Sequence, residues 1–149
     1  MKTLLRRIDS EIAAGGGKRS KSRQHVIETF FRAGTHVTVE ELTRTARRGS
    51  RNVGAATVYR TLKLLARLGY ATEHDFGEGV RRYESNLSPH HDHLVCRKCG
   101  VVSEFKEPGI EMMQDEVARR HGFRPTTHRL DIYGYCRRCA PGAREDGAR

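Results

Sequence analysis

No tryptophan occurs in the chain, and only five Phe and five Tyr supply aromatic bulk. Hydrophobic residues make up 36% of its 149 residues. That is thin for two cores, so two small modules of this composition would need a metal staple or a dimer interface. No apolar run reaches the roughly 18 residues a membrane-spanning helix requires, so no membrane partner is expected. A signal segment is missing too, because Arg6, Arg7 and Asp9 interrupt the start; the expected location is the cytoplasm. Cysteine is scarce, and all four fall in two pairs, Cys96-x-x-Cys99 and Cys136-x-x-Cys139. That spacing suits a metal in a reducing compartment better than a disulfide scaffold.

Acidic residues are outnumbered, 18 against 28 basic, for a net charge of +10. The excess is lopsided. Residues 1–85 carry 17 Lys and Arg against 9 Asp and Glu, net +8, whereas residues 86–149 carry 11 against 9, net +2. A basic half beside a near-neutral half points the first toward a polyanion.

Leu4, Leu5, Ile8 and Ile12 have helical spacing ahead of Gly15-Gly16-Gly17, which reads as a hinge or linker. A basic stretch from Lys18 to Arg23 enters a helix marked by Val26, Ile27 and Phe30 and ending near Gly34. A second helix spans about 39–47, with Thr38 and Glu41 forming a capping box over a stripe of Val39, Leu42 and Ala46. The third, from about Ala55 to Leu68, sets Val58, Leu62 and Leu65 on one side and Tyr59, Arg60, Lys63 and Arg67 on the other. Extended segments 70–75 and 80–84 then flank Phe76-Gly77-Glu78-Gly79 as a hairpin. Three helices and a hairpin is the order of a winged helix-turn-helix.

Residues 86–91 read as a linker, followed by strands 94–96 and 101–105 around the first cysteine pair. A helix runs from Pro108 to about His121 with Ile110, Met113 and Val117 as its apolar stripe. A last strand covers 126–135, with His128, Leu130 and Ile132 sharing a face. The fold class is therefore α+β: an N-terminal winged helix (1–86, of which 1–17 is an extension), then a small α/β dimerisation domain (87–140), then a disordered tail (141–149).

Clustered cations bind DNA by releasing counterions, which gives affinity without sequence choice. Choice needs side chains at base edges in the major groove. Near the start of the third helix, Arg60 can read a guanine and Tyr59 can pack on a thymine methyl. Lys63 and Arg67, further along, suit phosphates. The Lys18–Arg23 stretch can enter a minor groove or hold the backbone.

The two cysteine pairs are separated by 36 residues and suit a closed, tetrahedral, structural zinc site with four cysteine ligands. A redox dithiol would need only one pair on another fold. In His90-His91-Asp92-His93, alternation sends His91 and His93 one way and His90 and Asp92 the other, so one segment can serve two sites. Imidazole with carboxylate suits Fe(II), Mn(II) or Zn(II). His25, His74 and His121 lack such company. A zinc hydrolase would use similar ligands, but no separate general base stands out and the basic half would be idle, so the chain does not read as an enzyme. A zinc-ribbon interaction module without a DNA role would leave the recognition-helix pattern unexplained.

Three stretches in order, Ala56-Thr57-Val58-Tyr59-Arg60-Thr61-Leu62, His90-His91-Asp92-His93-Leu94-Val95-Cys96-x-x-Cys99-Gly100 and His128-x-Leu130-x-Ile132-Tyr133-Gly134-x-Cys136, closely resemble the ferric uptake regulator family of bacterial repressors. The resemblance covers about residues 18–139. It implies a homodimer that binds inverted-repeat, double-stranded operator DNA when a regulatory divalent metal is present. It implies DNA contacts from Lys18 (toward the minor groove), Arg23, Thr57, Tyr59, Arg60 and Lys63, with Tyr59 and Arg60 reading bases. Structural Zn(II) would sit on Cys96, Cys99, Cys136 and Cys139. A regulatory hinge site would use His36, Glu84, His91, His93 and Glu104. A further site in the dimerisation domain would use His90, Asp92, Glu111 and His128. Fe(II) is the favoured regulatory metal, with Mn(II) or Zn(II) as substitutes, because peroxide sensors of the family typically carry Asp at the position of Glu104. Zinc-, manganese- and peroxide-responsive regulators are the nearest alternatives. Ser22, where many relatives have Pro, is a small departure.

Overall fold

A computed structural model of the chain describes residues 1–34, 36–77, 79–87 and 89–140. The expected tail, the hairpin-tip residue Glu78 and the linker residue Ser88 lie outside the described residues. The chain divides into two compact units, Met1–Ser88 and Pro89–Arg149.

The first unit runs α1 (Lys2–Ala14), α2 (Lys21–Ala33), β1 (Val37–Thr38), α3 (Val39–Gly49), α4 (Ala55–Arg67), β2 (Ala71–Asp75) and β3 (Arg81–Ser85). Val26, Ile27, Phe30, Leu42, Val58 and Leu62 form its buried centre, as their spacing predicts. The Thr38–Glu41 capping box closes the N-terminus of α3. His25 bonds the Ala46 carbonyl at 2.9 Å, tying α2 to α3. A Cβ on Gly49 would sit 2.7 Å from that imidazole, so any larger residue there would push the ring off its bond to Ala46.

Two expectations need correction. Leu5, Ile8 and Ile12 of α1 are buried in the main core, so the first helix is built into the fold. The glycines after it are no loose hinge. Gly17 and Gly16 donate their N–H groups to the Ile12 and Ala13 carbonyls, with Gly16 at φ 79°, an ordered helix terminator. The same closure recurs after α4, where Tyr70 and Gly69 bond back to Leu65 and Ala66. Two-residue β1 leaves no periodic signal in the sequence, yet it pairs with β3 and completes a sheet of order β1-β3-β2.

In the β2–β3 hairpin Glu73 stands opposite Tyr83 and Thr72 opposite Glu84. Alternation therefore places Glu73, Arg81 and Tyr83 on one face and His74, Arg82 and Glu84 on the other.

The second unit has β4 (Asp92–Cys96), β5 (Val102–Phe105), α5 (Pro108–Arg120) and β6 (Asp131–Gly134). β4 is central, antiparallel to β5 and parallel to β6. The last strand is shorter than its pattern predicts: His128 and Leu130 precede it, and the pairing begins at Asp131 against His93. Helix α5 forms where Pro108 predicts, but none of its residues is buried. Met113 is 70% exposed and Val117 45%, so among the described residues nothing covers this part of the apolar stripe.

Candidate metal centres and nucleic-acid interface

The four cysteine sulfurs converge at one end of the β4 sheet, all within 4.8 Å of one another. Cys99 Sγ and Cys136 Sγ are 3.7 Å apart, close to the edge of about 3.8 Å that ~2.3 Å zinc–sulfur bonds give a tetrahedron. Each pair sits on a tight knuckle. Gly100 (φ 69°) donates its N–H to the Cys96 carbonyl, and Cys139 and Ala140 donate theirs to Cys136. The Cys136 N–H donates to Cys96 Sγ at 3.3 Å. Backbone donors from Cys136 and Cys99 bring the Cys96 thiol down to about 6, while burial pushes Cys139 up to about 12. Four clustered thiols with one already thiolate-like fit a divalent ion, whose charge would deprotonate the rest.

A second cluster lies within the same unit. His90, Asp92, Glu111 and His128 offer ligand atoms that are all within 4.8 Å of one another. Glu111 of α5 lies between the two imidazoles, 3.4 Å from His90 Nε2 and 3.3 Å from His128 Nε2. The rings of His90 and His128 meet edge-on with centroids 4.1 Å apart. Asp92 is wholly buried, and neither carboxylate oxygen has a hydrogen-bond partner among the described residues. A carboxylate taken from water with nothing to donate to it is costly. A cation at that point removes the cost, so the donor set fits a metal.

The remaining donors are distributed over both units. In the first, His36 Nε2 and Glu84 Oε2 lie 3.1 Å apart beneath the hairpin. In the second, His91 and His93 meet edge-on with centroids 5.1 Å apart, and His91 Nε2 lies 3.9 Å from Glu104 Oε1. Glu104 stands opposite His93 in the β4–β5 register. His91 Nδ1 is 2.9 Å from the Pro89 carbonyl and His93 Nδ1 3.0 Å from Asp131 Oδ1. Donating Nδ1–H to those oxygens leaves each Nε2 with the lone pair a metal needs.

Two of these contributors escape a reading of the sequence. His74, set aside for lack of neighbours, is buried with Nε2 3.1 Å from Glu84 Oε2 and its ring stacked on Phe76. Hairpin register carries the signal, since His74 lies diagonal to Glu84 on one face. Asp131 reaches His93 only through the parallel β4–β6 pairing, for which no local pattern exists. Arg129 and His93 hold the Asp131 carboxyl below its usual range against the opposing effect of burial.

On α4 the apolar side is buried at Val58, Leu62 and Leu65, and Tyr59, Arg60 and Arg67 are exposed. Thr57 is half-buried, with its carbonyl accepting from the Thr61 hydroxyl. Arg23 is half-buried and donates to the Lys18 carbonyl at 2.9 Å, fixing the backbone of the basic arm while Lys18 stays exposed. Lys63 differs from a free-standing phosphate contact: its Nζ lies 2.7 Å from Glu73 Oε2. A groove of about 620 Å³ runs between α3, Tyr59 and the wing, with Arg44, Arg47 and Arg81 among its lining residues.

These features meet those of known proteins. The model of the ferric uptake regulator family matches residues 14–133. A ferric uptake regulation protein of Campylobacter jejuni is 40% identical over 138 residues, 91% of this chain and 88% of that one. Its namesake from Helicobacter pylori is 32% identical over 93% of each chain. The solved Helicobacter pylori ferric uptake regulator, described as having three functional metal binding sites, superposes with a TM-score of 0.84 at 33% identity, over 93% of this chain and 92% of that one. A zinc-bound manganese uptake regulator superposes with a TM-score of 0.68 at 38% identity, over 89% and 98%. Carrying the ordered cysteine and histidine motifs and the winged-helix order, this chain belongs to the ferric uptake regulator family, whose members are transcription regulators rather than enzymes.

Proposed function

We propose that this chain is an iron(II)-dependent transcriptional repressor that binds inverted-repeat operator DNA as a cytoplasmic homodimer and controls metal-uptake genes. The carrying observation is the split donor set: His36 and Glu84 belong to the first unit, and His91, His93 and Glu104 to the second. One Fe(II) taken by both groups would fix the angle between the units, and with it the spacing of two recognition helices across a dimer. Metal then shifts the population toward the DNA-competent shape, by no more than its preference for that shape.

Zn(II) on the four cysteines would hold the second unit together and supply no open coordination position. The exposed stripe Met113 and Val117 on α5 supports burial against a second copy. Tyr59 and Arg60 are exposed where α4 would enter a major groove, which supports base reading; Lys18, Arg23, Thr57 and Lys63 complete the contact set. The His90–Asp92–Glu111–His128 cluster supports a further ion that joins α5 to β4.

A second reading is favoured by the 38% identity to a manganese uptake regulator. Anaerobic titration of an AT-rich palindrome with Fe(II), Mn(II) and Zn(II) decides between them. Fe(II) is expected to drive the gel shift at the lowest free concentration. Equal binding by a folded, zinc-stapled dimer stripped of regulatory metal would sink the switch.

A further inference from the structure

One carboxylate sits at the junction of the recognition helix and the wing. Glu73 is on the hairpin face that looks toward α4, opposite Tyr83, which is wholly buried. One Glu73 oxygen takes the Lys63 ammonium at 2.7 Å, and the other takes the Arg81 guanidinium. The carboxylate side chain is 15% exposed, whereas Lys63 and Arg81 are 44% and 60% exposed. The anion is thus sheltered between two cations that both reach solvent. Arg81 also lines the same groove as Tyr59, so this triad belongs to the face that would meet DNA.

Two cations and one anion leave a net charge of +1 where Lys63 and Arg81 alone would give +2. Lys63 has three donors and Arg81 five, so a bond to Glu73 aims each head group and still leaves donors for phosphate. The carboxylate weakens the attraction of that site for any phosphate without touching the base edges that Tyr59 and Arg60 would read. Sequence-independent binding comes almost entirely from phosphate charge, whereas specific binding adds base contacts on top.

We propose that Glu73 is a specificity-setting residue of the DNA interface: it ties Lys63 to Arg81 and holds down phosphate grip, so that base contacts decide where the dimer rests. The inference rests on the DNA-binding reading above. Both cations hold the Glu73 carboxyl below its usual range, Lys63 foremost, so it carries its charge at neutral pH.

The test compares the full-length, metal-loaded dimer with Glu73→Gln, which keeps the shape and removes the charge. Binding to a palindromic operator and to a random duplex is measured across a salt series. Glu73→Gln is expected to bind random DNA several-fold tighter and the operator by a smaller factor. Its salt dependence should steepen by up to about one phosphate equivalent, a slope change of roughly 0.9. Lys63→Ala in the Glu73→Gln background should then remove more of the slope than it does in the natural chain. Glu73→Asp, which keeps the anion, should stay near the natural specificity ratio and separates charge from packing. A folded Glu73→Gln dimer with unchanged slope and ratio overturns the inference while leaving the repressor reading intact. Failure of the natural dimer to bind any duplex in any metal state overturns both.

Discussion

The two halves of this chain are stabilised by different means. The first buries a continuous apolar cluster running from Leu5 and Ile8 through Phe30, Leu42 and Leu62 to Tyr83. Among the described residues of the second, the buried apolar side chains are Val95 and Cys96, beside buried Asp92 and His93. A unit whose interior is a carboxylate, an imidazole and a thiol cannot rely on the hydrophobic effect, at about 25 cal/mol per Å². Metal on its clustered donors and cover for its exposed helix are what the proposed function would supply to the second half, whereas the first half already holds a continuous apolar core.

Removing the zinc proposed for the four cysteines is the largest expected break in that contrast. Structural zinc contributes on the order of 10 kcal/mol to small domains. Stripping it, or making Cys96→Ser, should abolish hydrogen-exchange protection in β4 and β6 while α2 and α4 keep theirs. Simultaneous loss in both halves would mean that the units do not fold independently. The mirror experiment is Phe30→Ala. It should cost the first half about 3–5 kcal/mol by emptying its core, and zinc content should stay unchanged.

The same contrast explains what a reader of the sequence can see. Helices of the first half are legible because their cores are internal: Val58, Leu62 and Leu65 repeat at helical spacing and are buried together. The donor clusters are legible for a similar reason, since Cys-x-x-Cys and His90–His93 are local patterns. Three things are not local. Met113 and Val117 look like a core stripe, yet nothing among the described residues covers them. Asp131 becomes a partner of His93 only when a parallel strand brings residues 38 apart in sequence side by side. Lys63 looks like a plain phosphate contact until the hairpin delivers Glu73 to it. Periodicity reports which face is apolar. It does not report what that face meets.

A sharper test within the second half uses Asp92→Asn. The amide has the shape of the carboxylate without its charge, and the carboxylate is buried without a hydrogen bond among the described residues, its Oδ1 3.5 Å from His90 Nε2 and 3.9 Å from His128 Nε2. The metal-stripped, zinc-retaining protein should therefore gain roughly 1–3 kcal/mol from the substitution. At the same time the His90–Glu111–His128 cluster should lose affinity for its ion, measured as lower metal stoichiometry at fixed free concentration. A destabilised apo protein would mean that Asp92 has a structural donor and is not waiting for a cation.

The smallest expected effect separates the halves by pH. Glu73 is held below the usual carboxylate range by Lys63 and then Arg81, and Glu11 by the Tyr70 hydroxyl and then Arg7. A carboxyl whose folded-state pKa is depressed adds stability above its unfolded value, about 4.3, and that stability is lost as the pH falls through the folded value. The first half should therefore keep its full protection at neutral pH and weaken only in the acid range. Much of each contribution is screened at a surface, so the Glu73 part should be under about 1 kcal/mol. Glu73→Gln should flatten this acid slope, read as exchange protection in α4 between neutral and about pH 3. An acid slope in α4 unchanged by the substitution would show that the Lys63–Glu73–Arg81 triad does not couple to folding, and would leave Glu11 as the carboxyl that carries the slope.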